Sequence, residues 1–119
     1  FTFQLQKYFE AQKIDAIAVV AHPGVSNTNL FNNITTKLLT IILKPLFNIF
    51  VQPASMGALP EIRAAVDPTV QGGEFYGPNG RGEMKGYPVV VQPDKSAFIE
   101  TDAPKLWKFS EEITGVKFN

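Results

Sequence analysis

Hydrophobic residues recur at helical spacing in the first part of the chain. Phe1, Leu5 and Phe9 lie on one face, and most residues between them are polar. This pattern is typical of an amphipathic helix that packs one side against a core. We predict that the helix ends near Gln12 or Lys13.

The second pattern is a continuous apolar run. Residues 16–21 are all alanine, valine or isoleucine, which predicts a strand buried on both faces. Pro23 ends the strand because it has no N–H group to donate, and Gly24 favours a bend. Since open α/β sheets bind ligands at the carboxyl ends of parallel strands, this bend is the first candidate site.

The longest apolar stretch extends from Asn29 to Val51. A membrane-spanning helix needs about 20 consecutive apolar residues, and Lys44–Pro45 interrupts this stretch too early. The pattern instead predicts two short helices with a break at Pro45.

The following segment predicts a helix with Ser55 as its cap and Asp67–Pro68 as its end. Pro60 lies inside this pattern, so either the helix is kinked there or its regular part begins there. Small and aliphatic residues form the predicted inward stripe: Ala58, Leu59, Ile62 and Ala65.

The last third of the chain predicts two strands and a helix. Residues 74–76 form a short strand, and residues 87–91 form an edge strand, because Pro88 is unfavourable in a central one. A final helix begins at Thr101 or Asp102 and ends at Gly115. Its predicted inward face comprises Leu106, Phe109 and Ile113. Strands alternating with helices predict the α/β class.

Composition excludes several function classes. The chain has 119 residues, 45% of them hydrophobic, with 11 basic and 11 acidic residues and a formal net charge of zero. It therefore lacks the basic surface that nucleic-acid binding requires. Cysteine is absent and His22 is the only histidine, so no metal site is predicted. No signal peptide is recognised, and a cytoplasmic protein is predicted.

Four groups of residues resemble the carboxyl-terminal half of short-chain dehydrogenases/reductases, in the branch similar to retinol dehydrogenases. They are His22-Pro23-Gly24-Val25 with Thr28; Gly57-Ala58-Leu59-Pro60 followed by Ala64-Ala65; Gly73-Glu74-Phe75-Tyr76-Gly77-Pro78; and Leu106-Trp107 with Ser110 to Gly115. The resemblance covers nearly the whole chain. It implies that residues 1–119 are the carboxyl-terminal portion of a Rossmann-type doubly wound parallel sheet with flanking helices, and that the amino-terminal half lies upstream.

The resemblance also implies a cofactor and a substrate. The bend would bind the nicotinamide end of NADP or NAD, NADP being favoured by the resemblance, through five residues: Pro23, Gly24, Val25, Ser26 and Thr28. A lid over a lipophilic alcohol or carbonyl substrate would comprise Leu38, Leu39, Ile42, Leu46 and Phe47. The complete enzyme is expected to be a homo-oligomer.

Two hallmarks of the family do not occur in this chain. It has no G-x-G-x-x-G loop and no Tyr-x-x-x-Lys pair, so we predict no catalytic residue here and no activity of this chain by itself. His22 is expected to be a hydrogen-bonded structural residue. We also expect the isolated chain to aggregate, because half a sheet exposes an apolar edge.

Other interpretations remain open. The bend could be an ordinary turn whose Ser26 and Thr28 cap the next helix. The apolar segment could simply pack against the rest of the protein or against a second subunit, or it could contact a membrane or a partner protein. The alternative function is a non-catalytic domain that binds an apolar ligand or a partner protein.

Overall fold

The computed structural model describes residues 1–27, 51–99 and 101–118. The elements in these ranges are α1 (Thr2–Gln12), β1 (Val20–Ala21), β2 (Ser26–Asn27), β3 (Gln52–Pro53), α2 (Ala54–Gly57), α3 (Leu59–Val66), β4 (Phe75–Pro78), β5 (Pro88–Val90) and α4 (Asp102–Thr114). Short 3-10 turns cover Arg81–Glu83 and Lys95–Phe98. The predicted pair of helices around Pro45 lies outside the described residues.

A three-stranded mixed sheet forms the centre, in the order β1-β4-β5. β1 pairs with β4 in parallel, with Val20 opposite Phe75 and Ala21 opposite Tyr76. β4 pairs with β5 antiparallel, and β2 and β3 form a separate parallel pair. The predicted α/β class is confirmed. The doubly wound parallel sheet that the resemblance implies stays a prediction.

The first helix ends where the pattern predicted. Lys13 adopts a left-handed conformation with φ 54°, and its N–H donates to the carbonyls at the end of α1, which closes the last turn. Gln6 then connects the helix to the sheet region, because its side-chain oxygen accepts a 2.8 Å hydrogen bond from the Ala18 N–H. The Gln6 side chain is buried, and this hydrogen bond gives its oxygen a partner.

The predicted strand over residues 16–21 is too long. Only Val20 and Ala21 pair as a strand, and Ile17 is 53% exposed. The physical reason lies in the partner segment: the chain before β4 turns at Gly73, whose N–H donates to the Ala18 carbonyl. A turn cannot continue a ladder, so among the described residues β4 offers no pairing partner to the residues before Val20.

The helix after β3 differs from the prediction in its start and in its buried side. Ser55 lies inside α2 rather than capping it, and Pro60 occupies the first turn of α3. Asp67 ends α3 as predicted. The predicted inward stripe is wrong: Ala58, Ile62 and Ala65 are exposed.

Arg63 explains which side of α3 faces the sheet. Its guanidinium donates to the Pro88 carbonyl at 2.7 Å and lies 5.2 Å from the centre of the Tyr76 ring. These contacts require the arginine side of the helix to face β4 and β5. Ile62, one residue earlier, therefore points away and is 51% exposed.

The final helix begins after Thr101 and ends at Gly115, whose φ is 70°, as predicted. Its predicted inward face is wrong, because Leu106, Phe109 and Ile113 are 47%, 58% and 68% exposed. Trp107 faces α1 instead and stacks on Phe1 with ring centroids 4.8 Å apart.

None of the helices in the described ranges has the length and hydrophobicity needed to cross a bilayer.

Candidate functional site

The candidate site begins directly after β1, at the bend over residues 22–26. The His22 N–H donates to the Tyr76 carbonyl at 2.9 Å, so the ladder continues one residue beyond the strand. Gly24 then turns the chain with φ 61°. A Cβ atom at Gly24 would lie 2.5 Å from the Met84 carbonyl oxygen and 2.8 Å from that of Glu83. Glycine is therefore required both by conformation and by space.

The segment over residues 79–86 holds the bend from one side. The Val25 N–H donates to the Met84 carbonyl at 2.7 Å, and the Gly80 N–H donates to the Lys85 carbonyl at 2.9 Å. Glu83 adopts a left-handed conformation with φ 54°, an uncommon conformation for a residue with a side chain. We call this segment the clamping turn.

Gln52 holds the bend from the other side. Its side chain donates to the Pro23 carbonyl at 2.8 Å and accepts from the Gly86 N–H at 2.9 Å, while its backbone N–H donates to the Val25 carbonyl at 2.9 Å. The residue is only 4% exposed. Because it bonds to both the bend and the clamping turn, it fixes their separation.

Sequence reasoning missed Gln52. It follows a long apolar stretch and precedes a proline, and nothing in that context marks a buried amide. Its partners lie 29 and 34 residues away, so a local pattern could not reveal them.

His22 is hydrogen bonded through both ring nitrogens, as predicted for a structural histidine at this place. The Gly24 N–H donates to Nδ1 at 3.2 Å, and Nε2 lies 2.9 Å from a Glu83 carboxylate oxygen. Since Nδ1 accepts, the network assigns the proton to Nε2, which donates to Glu83. A Cβ atom at Gly77 would lie 2.1 Å from Nε2, so that glycine makes room for the ring.

Ser26 lies in β2, and its hydroxyl donates to the Pro23 carbonyl at 3.0 Å. The interpretation that Ser26 caps a helix is therefore wrong, because a strand residue pairs with β3 at this position. Of the predicted cofactor-binding residues, Pro23, Gly24, Val25 and Ser26 adjoin one another in the bend. Thr28 and the predicted lid, Leu38, Leu39, Ile42, Leu46 and Phe47, lie outside the described residues.

A cavity of about 620 Å³ opens between β3, α2 and the clamping turn. Gln52 and Gly86 contribute to both the cavity and the contacts that hold the bend. The walls are mostly apolar and include Met56 and Met84; Arg81 and Lys85 also line the cavity. Its size falls within the range of small-molecule sites, about 300–1,000 Å³.

A second polar cluster supports β4 behind the bend. Burial, reinforced by the Glu74 carboxylate that accepts a hydrogen bond from the Tyr76 hydroxyl, raises the pKa of Tyr76 to about 12. Hydrogen bonds from the Gln71 N–H and the Tyr76 hydroxyl lower the pKa of Glu74. Hydrogen bonds from Thr69 lower the pKa of Asp67. Because Tyr76 is only 1% exposed, its ring is part of the buried core beside the sheet.

Within residues 1–27, 51–99 and 101–118, no group of three or more metal-ligating side chains comes together.

Comparison with protein-family models, curated proteins and solved structures gives no match for this chain. The function of the protein is therefore inferred from the residues and geometry of the bend and of the cavity beside it.

Proposed function

We propose that this chain is the carboxyl-terminal half of an NAD(P)-dependent oxidoreductase, similar to short-chain dehydrogenases/reductases, that interconverts a lipophilic alcohol and a carbonyl compound. The observation that supports this proposal is the Gly24 bend. It follows the carboxyl end of a strand in a parallel pair, and hydrogen bonds fix it on two sides. Ligands bind at this place in open α/β sheets.

The bend carries the kinds of hydrogen-bonding group that a nicotinamide carboxamide needs. Such a carboxamide needs one acceptor and one donor, and Val25 and Ser26 carry a backbone N–H, a carbonyl and a hydroxyl. In this structure the Val25 N–H donates to the Met84 carbonyl and the Val25 carbonyl accepts from Gln52. Binding would therefore require the carboxamide oxygen to replace Met84 on the Val25 N–H.

The chain's own residues would orient the ring rather than move protons. The bound cofactor would supply or accept the hydride. A bend held by Gly24, Gln52 and the clamping turn would restrict the position of the carboxamide and hence the ring face turned to the substrate. The proposal also includes cofactor binding by Thr28 and a substrate lid. It further includes an upstream half that carries the Gly-rich loop and the Tyr-x-x-x-Lys pair, a homo-oligomeric assembly and a cytoplasmic location.

Cofactor titration of the full-length gene product tests this function. We expect saturable binding of NADPH or NADH, followed by its fluorescence, and turnover of a lipophilic aldehyde or alcohol. Ser26→Ala should weaken cofactor binding about fivefold, the effect of one lost hydrogen bond of about 1 kcal/mol. Ser110→Ala, on remote α4, is the matched control and should leave binding unchanged. Absence of binding for both cofactors would overturn the proposal.

The cavity favours the second candidate function, non-catalytic binding of an apolar ligand. Its walls are mostly apolar, and Gln52 and Gly86 hold one side in place through their 2.9 Å hydrogen bond. A protein with this function would bind ligand without any nicotinamide cofactor and would show no turnover.

A further inference from the structure

The final helix, α4, carries an apolar face that is exposed within the described part of the chain. Leu106, Phe109 and Ile113 are spaced by three and four residues, so they lie along one side of the helix. All three are exposed. Trp107 occupies the other side, where its ring stacks on Phe1. The helix therefore attaches to the molecule by one side and presents the apolar side outward.

Two opposite charges border this apolar face on the same side. Lys105 and Glu112 are seven residues apart, which is close to two helical turns and places them at nearly the same angle around the axis. Both residues are exposed. Glu112 lies 3.9 Å from Lys108, a long ion pair between exposed groups that contributes little. The face thus has a positive charge near its beginning and a negative charge near its end.

The opposite border of the apolar face consists of small side chains. Ala103 and Ser110 are also seven residues apart, and the Ser110 hydroxyl donates to the Leu106 carbonyl of its own helix at 2.7 Å. This border therefore carries no charge and little bulk, which allows a second helix to approach the face closely.

The order of the two charges fits a second copy of the same helix in the antiparallel orientation. Copies related by a two-fold axis present the same face to each other, so every contact between them occurs twice. Lys105 of each copy then lies beside Glu112 of the other. Phe109 is near the midpoint of the two charges and meets its own counterpart, while Leu106 meets Ile113. A parallel pair would instead place each charge beside the uncharged border and would form no ion pair.

We infer that α4 is a self-association surface, through which two copies of this chain form an antiparallel, two-fold symmetric pair. The surface is small, because stable complexes bring together about 20 to 30 residues on each side. Association is therefore weak and depends on concentration, and the copies separate in dilute solution. This contact supplies a surface for the homo-oligomer included in the proposed function, but it is independent of nicotinamide binding.

Sedimentation velocity of the full-length protein over a range of concentrations, with no cofactor present, tests the inference. We expect the mass in solution to double as the concentration rises. Phe109→Glu should abolish the doubling, because it places two carboxylates together at the two-fold axis, and should leave the urea unfolding of dilute protein unchanged. Lys95→Glu, a charge reversal at an exposed position outside α4, is the control and should leave association unchanged.

Charge reversals distinguish a second copy from any other partner. Lys105→Glu alone and Glu112→Lys alone each place like charges side by side in both pairs, so each should weaken self-association about tenfold. The double variant should restore it. An equimolar mixture of the two single variants should also associate, with one chain of each kind, because both pairs are then complementary.

Three results would overturn the inference: a mass that does not change with concentration, single charge reversals that associate like the wild type, or a mixture of them that fails to associate. A loss of stability in dilute Phe109→Glu would also overturn it, since another part of the protein would then cover the face. None of these results affects the cofactor titration of the proposed function. Conversely, a failure to bind NADPH or NADH leaves the sedimentation experiment intact.

Discussion

The centre of the molecule and its α1–α4 side are held together by different forces. At the centre, backbone hydrogen bonds and the buried Gln52 side chain connect the bend after β1 to β3 and to the clamping turn. Between α1 and α4, aromatic rings provide the contact: Trp107 packs on Phe1, and Phe118 lies 5.1 Å from Trp107.

The two regions differ in how far their parts can shift without losing their contacts. Hydrogen bonds weaken steeply with misalignment, and Gly24 and Gly77 leave no space for a single additional carbon. Stacked rings tolerate offsets of an ångström or more, and much of α4 remains exposed. We conclude that the centre positions the candidate site, whereas the aromatic contact only attaches a helix.

The largest expected effect comes from Gly24→Ala. The left-handed conformation and the contact with the Met84 and Glu83 carbonyls together should destabilise the protein by about 3 kcal/mol. The measurement is the free energy of unfolding of the full-length protein in urea. Gly115→Ala is the control, because φ is also positive there but nothing lies within 4 Å of the added carbon; it should cost only about 1 kcal/mol. Equal losses at both glycines would show that the centre is no tighter than the end of α4.

Gln52→Leu should cost about 2 kcal/mol, because it removes two hydrogen bonds and leaves the Gly86 N–H without its partner. The same urea measurement applies, and amide exchange at Gly86 should become faster. Gln92→Leu, at an exposed position, should change stability by less than about 0.5 kcal/mol. If Gln52→Leu behaves like that control, the bend is not held by the glutamine.

Trp107→Ala should cost about 1.5 kcal/mol, since the ring is only partly buried and its neighbours can close around the gap. Hydrogen exchange should accelerate in α4 and stay unchanged in β4, because the contact is local. Phe109→Ala removes an exposed ring and should cost less than about 0.5 kcal/mol. If Phe109→Ala lowered the stability more than Trp107→Ala did, the inward face predicted from the hydrophobic pattern would be correct after all.

The last effect appears only at high pH and arises at Tyr76. Its pKa rises from 10.0 to about 12 in the folded protein, so folding favours the protonated phenol. This contribution is complete below pH 10 and is lost as the pH rises towards 12. Stability measured from pH 9 to 12 should therefore fall more steeply in the wild type than in Tyr76→Phe.

Absorbance at 295 nm gives an independent measurement of the same group. Tyr8 and Tyr87 are the other tyrosines, and Tyr76→Phe should remove the part of the phenolate signal that develops near pH 12. Loss of an earlier part of the titration instead would contradict the buried position of Tyr76.

Local signals predicted where many elements begin and end. Gly115 and Lys13 end helices, Asp67 ends α3, Thr101 precedes α4, and Pro23–Gly24 forms a bend directly after a strand. Each of these features depends on residues within a few positions of each other, such as a left-handed cap or a missing N–H group. A single sequence contains that information completely.

Helix faces could not be predicted in the same way. The apolar stripes suggested Ile62 for α3 and Phe109 for α4, whereas Arg63 and Trp107 face the rest of the molecule. Arg63 does so because the Pro88 carbonyl and the Tyr76 ring are available to it. Neither partner is visible from the periodicity of the helix itself.

The chain by itself therefore determined the α/β class, several of the helix ends and the bend at Pro23–Gly24, because short-range sterics and backbone hydrogen bonding set them. The tertiary structure decided the length of β1, the faces that α3 and α4 bury, and the assembly of Gln52 with the bend and the clamping turn. These features depend on partners about 25 to 106 residues apart in sequence. Only folding brings such partners together, since the free energy of their contacts depends on every element packed around them.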